Sequence, residues 1–324
     1  MPRESLLEHV DQLIKAGCND QAVETIKTAC SAGDSDALFR LATWCLIGFP
    51  VERDITQSRS LLRRATEIGH VDAALMEIAL TANGSGAEAD WPTALMLLQQ
   101  AAKSDPIAET HLSMLAAMTL DNNGYPRVLP QSQIICEKPK VQLFRNLFSP
   151  SECAHIAASA RELLEPAVVI DPKTGQNIAH PIRTSYGATL GPTREDLVIA
   201  ALNRRLATIS NTDLCQGEPL SILCYTSGQE YRPHYDWIAG AANQRIKTVI
   251  VYLNDGYIGG ETKFLSNGFT IACRGGDAIM FDNVTAAGAK AQDSQHAGLP
   301  IKQGTKWIAT RWVRETAFDV WNDR

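Results

Sequence analysis

His234 and Asp236, within "EYRPHYDW" (230–237), are separated by one residue, and His296 follows in "DSQHAGLP" (293–300). Side chains two apart on an extended strand leave the same face. The H-x-D pair therefore predicts a shared site, and a histidine from a distant strand completes a set of two imidazoles and one carboxylate. Such a set holds ferrous iron on one face of an octahedron and leaves the opposite face open to a chelating co-substrate and dioxygen. That is the chemistry of an oxygenase rather than of a structural metal site.

Ten residues after His296, Lys306 lies in "GTKWIATRW" (304–312), whose alternation predicts a strand with Lys306, Ile308, Thr310 and Trp312 on one side. An inward-facing lysine needs an anion, because an unpartnered buried charge is expensive. The distal carboxylate of 2-oxoglutarate fits, since its keto oxygen and neighbouring carboxylate can grip the iron. Taken singly, an H-x-D tripeptide or a lone histidine reads equally as a surface or core feature. Their conjunction, in this order and on strand-like segments, carries the inference.

Further segments surround these: "NLFSPSEC" (146–153), "RTSYGATL" (183–190), "GEPLSILCYTSGQEYRPHYD" (217–236), "TVIVYLND" (248–255), "GGETKF" (259–264) and "GGDAIMF" (275–281). From about Leu129 to Glu315 the chain resembles the prolyl 4-hydroxylase-type 2-oxoglutarate/iron(II) dioxygenases. The resemblance implies His234, Asp236 and His296 as iron ligands and Lys306 as the partner of the 2-oxoglutarate carboxylate. It implies Tyr225 and Thr262 as hydroxyls reaching the same co-substrate, with Trp312 lining the pocket. As residues alone, Tyr225 and Trp312 read equally as core aromatics and Thr262 as a turn-closing hydroxyl. Arg183, Ser185, Glu218, Tyr231 and Arg245 match positions that face the peptidyl substrate; each also reads as a solvated or structural polar residue. Leu265 replaces a proline frequent in the family, which changes a turn and no ligand.

The implied reaction is hydroxylation of a prolyl residue in a peptide or protein, with succinate and carbon dioxide released and L-ascorbate as the reductant that rescues oxidised iron. Two alternatives remain open: a hydroxylase of lysyl residues or of a free amino acid, and a non-catalytic, repeat-based interaction module.

The chain has 324 residues, 45% hydrophobic and 20% charged, with a formal net charge of −6. Those values predict a soluble globular protein of two domains and give no basic footprint for nucleic acid or an acidic membrane surface. "MPRESLLEHVDQLIKAG" lacks the uninterrupted apolar core of a signal peptide, and no window reaches the length of a membrane span. The eight cysteines are widely spaced without a C-x-x-C pair and read as free thiols. The expected compartment is cytoplasmic, where iron is more easily kept ferrous.

The first third of the chain is repetitive. Ala29, Ala65 and Ala101 stand at intervals of 36 residues, as do Ile26, Leu62 and Leu98, and the same step relates Gly33 to Gly69, Asp36 to Asp72 and Ala37 to Ala73. A repeat of that length predicts a helical solenoid. Stretches such as "DALFRLATWCLIG" and "ITQSRSLLRRATEIG" place apolar residues at helical spacing and end on glycine. The units resemble Sel-one-like repeats, relatives of tetratricopeptide repeats, with a third copy eroded at Asp105-Pro106. Such an array offers a groove on which a peptide or protein substrate could dock, or caps the catalytic domain.

"DNNGYPRVLPQ" (121–131) reads as a linker, giving a helical-repeat domain over 1–120 and a dioxygenase domain over 132–324. Downstream, "SPSECAHIAASARELLE" and "REDLVIAALNRRLATI" predict helices. After Leu220, short β-rich runs between glycine-rich turns predict an antiparallel jelly roll. The fold class is therefore α+β: an N-terminal α-helical repeat solenoid followed by a double-stranded β-helix with flanking helices. The loop over 169–185 is expected to act as a lid over substrate.

Overall fold

The computed structural model describes residues 3–170, 177–179 and 181–322. The chain divides into two compact units, Met1–Ala117 with Pro192–Ala200, and Met118–Gly191 with Ala201–Arg324.

The first unit is built of helices Arg3–Lys15, Asn19–Ser31, Ser35–Ile47, Ile55–Glu67, Val71–Asn83, Trp91–Ala101 and Pro106–Ala117. Helix starts recur with the sequence period: Asn19, Ile55 and Trp91 are each 36 residues apart, as are Ser35 and Val71. Equivalent residues do equivalent work. Ile26, Leu62 and Leu98 are completely buried between helices. Asp54 and Asp90 each cap a helix by accepting from the backbone N–H three residues on, Gln57 at 2.8 Å and Thr93 at 3.0 Å. Gly33 and Gly69 take φ values of +81° and +97°, a left-handed conformation that turns the chain between paired helices and that a Cβ would strain. In the third copy Asp105 stands at the glycine position and accepts from Ala108 N–H at 2.7 Å, a side-chain cap like those of Asp34 and His70 in the first two copies.

Pro192–Ala200 belongs to this helical unit, although the sequence reading keeps all of 132–324 together. Leu197, Val198, Ile199 and Ala200 in this segment are buried, and it makes two polar contacts: Asn83 donates to the Pro192 carbonyl at 3.5 Å, and Asp196 lies 3.7 Å from His111. Neither contact has a periodic signature in the sequence.

In the second unit, helix Pro150–Arg161 is opened by a capping box in which Ser149 accepts from Glu152 N–H and Glu152 accepts from Ser149 N–H. Glu152 also holds the guanidinium of Arg205, on helix Leu197–Ser210, at 2.8 and 2.9 Å. Two main antiparallel sheets, beside two two-stranded ones, follow. The larger has eight strands in the order Ser132–Glu137, Lys140–Phe144, Ala278–Asp282, Arg245–Tyr252, Lys306–Arg314, Leu220–Tyr225, Tyr186–Leu190 and Glu165–Pro166. The smaller has four: Thr270–Ile271, Thr262–Phe264, His296–Gly298 and Tyr231–His234.

Most neighbours in both sheets are non-sequential, which gives the jelly-roll connectivity expected from the sequence. The two inner faces share one core, in which Leu143, Leu223, Ile250, Tyr252, Ile279 and Ile308 from the larger sheet meet Phe264 from the smaller. Each such side chain stabilises the fold by about 1.5–3 kcal/mol when fully withdrawn from water. Among the described residues no helix is long and apolar enough to cross a membrane.

Of the expected lid over 169–185, residues 171–176 and 180 lie outside the described residues. The flanking strands Val168–Ile170 and Asn177–Ala179 pair antiparallel as a hairpin.

Candidate active site

His234 is the last residue of strand Tyr231–His234, and His296 the first of strand His296–Gly298. The antiparallel register pairs the two residues directly, so backbone hydrogen bonding sets their imidazoles side by side, with centroids 4.3 Å apart. Asp236, two residues past His234, turns its carboxylate between them: Oδ1 lies 3.8 Å from His234 Nε2, and Oδ2 lies 3.7 Å from His296 Nε2. All three residues are buried.

The tautomers are fixed from behind. His234 Nδ1 lies 2.9 Å from the Arg232 carbonyl and His296 Nδ1 lies 3.0 Å from the Ser294 carbonyl. A carbonyl only accepts, so each Nδ1 carries its proton and each Nε2 presents a lone pair toward Asp236. Burial first, and the neighbouring His296 second, push His234 down to about 4, leaving a neutral imidazole at physiological pH. Burial alone would raise Asp236, but the two imidazoles and the Thr248 hydroxyl hold it below the usual carboxylate range. Two lone pairs and a carboxylate thus converge at separations too long for hydrogen bonds. Their donor atoms all lie within 4.8 Å of one another. This donor set fits a small divalent cation, with nitrogen and oxygen ligands on one side of it.

Lys306 lines the same pocket and is 3% exposed. Its Nζ donates to the Gly260 carbonyl at 2.6 Å and makes no salt bridge among the described residues. Burial pushes it down to about 8. Gly260 has a φ of +70°, and a Cβ there would meet Ile301 Cδ1 at 2.3 Å and Lys306 Cδ at 3.2 Å, so only glycine lets this carbonyl approach the ammonium. Tyr225 is the cross-strand partner of Lys306, and its buried phenol is pushed up in pKa by desolvation. Thr262 Oγ1 sits 2.7 Å from the Tyr252 hydroxyl. Tyr225, Thr262 and Lys306 therefore form one polar wall that combines a cation with hydroxyls.

The residues expected to face substrate divide. Tyr231 lines the pocket with its ring stacked on His234, centroids 3.5 Å apart and planes at 10°, and the Arg183 guanidinium lies 5.7 Å from its centroid. Trp312 also lines the pocket, and its buried Nε1 has no acceptor among the described residues. Ser185 is buried beside Tyr225. Glu218 and Arg245 do not reach the pocket lining. Glu218 receives Arg245 through Nε at 2.6 Å and Nη2 at 2.8 Å, and Arg314 through Nε at 2.6 Å. The Arg245 guanidinium in turn lies 3.9 Å from the Trp312 ring centroid. This ion cluster supports the tryptophan wall from behind.

Three polar residues enter the site without a motif to announce them. Thr248 donates to Asp236 Oδ2 at 2.7 Å, Asn283 donates to Thr248 Oγ1 at 2.9 Å, and Tyr252 meets Thr262. The signal available was the period of two in "TVIVY", which puts Thr248, Ile250 and Tyr252 on one strand face.

Comparison with known proteins agrees with this geometry. A family model described as the 2OG-Fe(II) oxygenase superfamily matches residues 220–314, a span that holds the three converging donors and Lys306. "Prolyl 4-hydroxylase 1" of Arabidopsis thaliana is 31% identical over 204 residues, covering 57% of this chain and 72% of that protein. The chain belongs to the prolyl 4-hydroxylase family of 2-oxoglutarate/iron(II) oxygenases. "Probable prolyl 4-hydroxylase 10" of the same plant is 30% identical over 212 residues, covering 58% of this chain and 73% of that protein. Among solved structures, the viral collagen prolyl hydroxylase of Paramecium Bursaria Chlorella virus-1 in complex with 2-oxoglutarate aligns at 25% identity. Its TM-score is 0.44, and the alignment covers 56% of this chain and 99% of that one. As a member of the family, the chain is an enzyme that uses iron(II), 2-oxoglutarate and dioxygen.

Proposed function

We propose that this enzyme hydroxylates a prolyl residue of a peptide or protein substrate. One oxygen atom of dioxygen enters the C–H bond of substrate and the other enters 2-oxoglutarate, which leaves as succinate and carbon dioxide. The observation that most supports this reading is the pocket itself: two directly paired histidines and Asp236 converge in the same pocket as a buried ammonium that makes no salt bridge among the described residues. His234, Asp236 and His296 would hold the iron, and iron(II) supplies the dioxygen activation that no side chain here provides.

The chain's own residues bind and orient. Lys306, with the Tyr225 and Thr262 hydroxyls, receives the distal carboxylate of 2-oxoglutarate. Thr248 and Asn283 fix the Asp236 carboxylate so that its free lone pairs keep their aim. Tyr231 and Trp312 give the substrate ring two apolar faces, while Glu218, Arg245 and Arg314 keep Trp312 in place. Arg183 and Ser185 extend the polar side of the substrate groove.

Ascorbate serves this enzyme as the reductant for oxidised iron, and the cytoplasm is its compartment, in keeping with eight cysteines that are all free thiols. The helical unit is a short Sel-one-like array spanning 1–120, joined through 121–131, and substrate docks on it. The test is incubation of the purified chain with iron(II), 2-oxoglutarate, ascorbate and a panel of prolyl, lysyl and free amino-acid substrates. Stoichiometric succinate and the mass gain of one oxygen on proline are expected. Turnover confined to lysyl or free amino-acid substrates would reject the prolyl assignment.

A further inference from the structure

Between helices Ile55–Glu67, Val71–Asn83 and Trp91–Ala101 the helical unit opens into a groove of about 650 Å³. Its wall includes apolar residues that reach its surface: Ala74 and Leu97 are half-buried and Val71 is 41% exposed. Its ionisable groups are unbalanced. Arg59 and Arg63 both point at Glu77, at 2.9 Å each, so the two guanidiniums of the groove are committed to one buried carboxylate. Four further carboxylates line the groove: Glu67, Glu88, Asp90 and Asp105. Asp90 and Asp105 accept from backbone N–H groups at helix starts. Glu67 and Glu88 are exposed and make no ion pair or side-chain hydrogen bond among the described residues.

We propose that this groove binds a lysine- or arginine-bearing segment of a partner polypeptide. The shape and the charge ask for the same occupant. A lysine or arginine side chain lays an apolar stem along apolar surface and carries its charge beyond it, which matches a lining that combines apolar side chains with carboxylates. The negative sign repels nucleic acid. No group of three metal-ligating side chains converges there among the described residues, so the carboxylates do not form a cation site. The inference rests on the docking role given above to the helical unit and supplies the chemistry of its partner; it does not depend on the oxygenase chemistry.

The experiment is a fluorescence-anisotropy titration of the full chain with a labelled octapeptide of alternating lysine and alanine, at low and high salt. Saturable binding that weakens with salt is expected. The double variant Glu67→Gln/Glu88→Gln should weaken it roughly tenfold, about the sum of two surface ion pairs. The charge-matched control Glu8→Gln/Glu24→Gln, whose carboxylates lie outside the groove, should stay within about twofold of the parent. Equal weakening in both variants, wild-type affinity in the groove variant, or no saturable binding by the parent chain would each overturn the proposal. Succinate formation is measured in parallel and should not change in any variant, so the failure of this site and of the active-site reading are separately visible.

Discussion

Replacing Lys306 by methionine should act in opposite directions on ligand affinity and on the empty fold. The ammonium is 3% exposed, and its pKa falls from 10.5 to about 8 through burial. At about 1.4 kcal/mol per pH unit, that fall is roughly 3 kcal/mol of penalty on the charged form. Methionine keeps most of the volume and removes the penalty, while the buried Gly260 carbonyl loses its donor at a cost of about 1–3 kcal/mol. The unliganded variant should therefore melt at or slightly above the parent temperature.

On the reading proposed above, bound 2-oxoglutarate loses the buried ammonium that receives its carboxylate, at about 3–5 kcal/mol, which raises its KM by roughly two to three and a half orders of magnitude. The pH dependence separates the same two quantities. Between pH 8 and 10.5 the unfolded chain binds more protons at this lysine than the folded one. Lys306 thus destabilises fully below about pH 8, and stability rises with pH across that window. Affinity for 2-oxoglutarate needs the ammonium, so KM climbs above about pH 8 in the parent and should not climb in the methionine variant. Succinate formation against 2-oxoglutarate concentration, beside melts without ligand, measures both. A KM within about threefold of the parent, or a fall in melting temperature that tracks the loss of activity, would refute the reasoning.

His234→Ala or Asp236→Ala should abolish iron-dependent succinate formation with the circular-dichroism spectrum retained; activity surviving a loss of stability would make these residues structural. Thr248→Val removes the donor to Asp236 and should raise the iron concentration for half-maximal activity about 10–100-fold, with Thr248→Ser restoring it. An unchanged iron requirement would remove Thr248 from the site. Phe281→Ala, at a side chain 1% exposed, should cost about 3–5 kcal/mol in urea unfolding; a loss under about 1 kcal/mol would mean that the core closes over the space.

The candidate site was the most legible part of the chain, because His234, His296 and Lys306 stand on short β-runs whose alternation fixes which side they face, while Asp236 lies in the bend two residues beyond its strand. The helical unit was equally open to reading, since Ile26, Leu62 and Leu98 mark the period and are all completely buried. What escaped was pairwise and long-range. Thr248 looks like any β-branched strand residue until Asp236 is known to lie 2.7 Å away. Glu218 sits close to the motifs in sequence, yet Arg314, 96 positions later, helps draw it away from the pocket. The attachment of Pro192–Ala200 to the helical unit includes two polar contacts that have no periodicity. Patterns of two and 3.6 residues report faces, not the identity of the group across the gap.

The division of the site between the two sheets explains why its core packing bears on chemistry. His234 and His296 belong to the smaller sheet, whereas Lys306, Tyr225 and Thr248 belong to the larger one. A co-substrate that touches both metal and lysine must span them, so the separation of the sheets sets whether it can. Phe264 and Phe281, one from each sheet, hold that separation with ring centroids 5.1 Å apart at 87°. Phe281 also meets His296 edge-on at 4.8 Å. A smaller side chain at 281 thus loosens the fold and displaces one imidazole relative to Lys306. In the Phe281→Ala variant, KM for 2-oxoglutarate should rise even under conditions where the chain remains fully folded. A KM that stays at the parent value would mean that the backbone ladders alone hold the two halves in register.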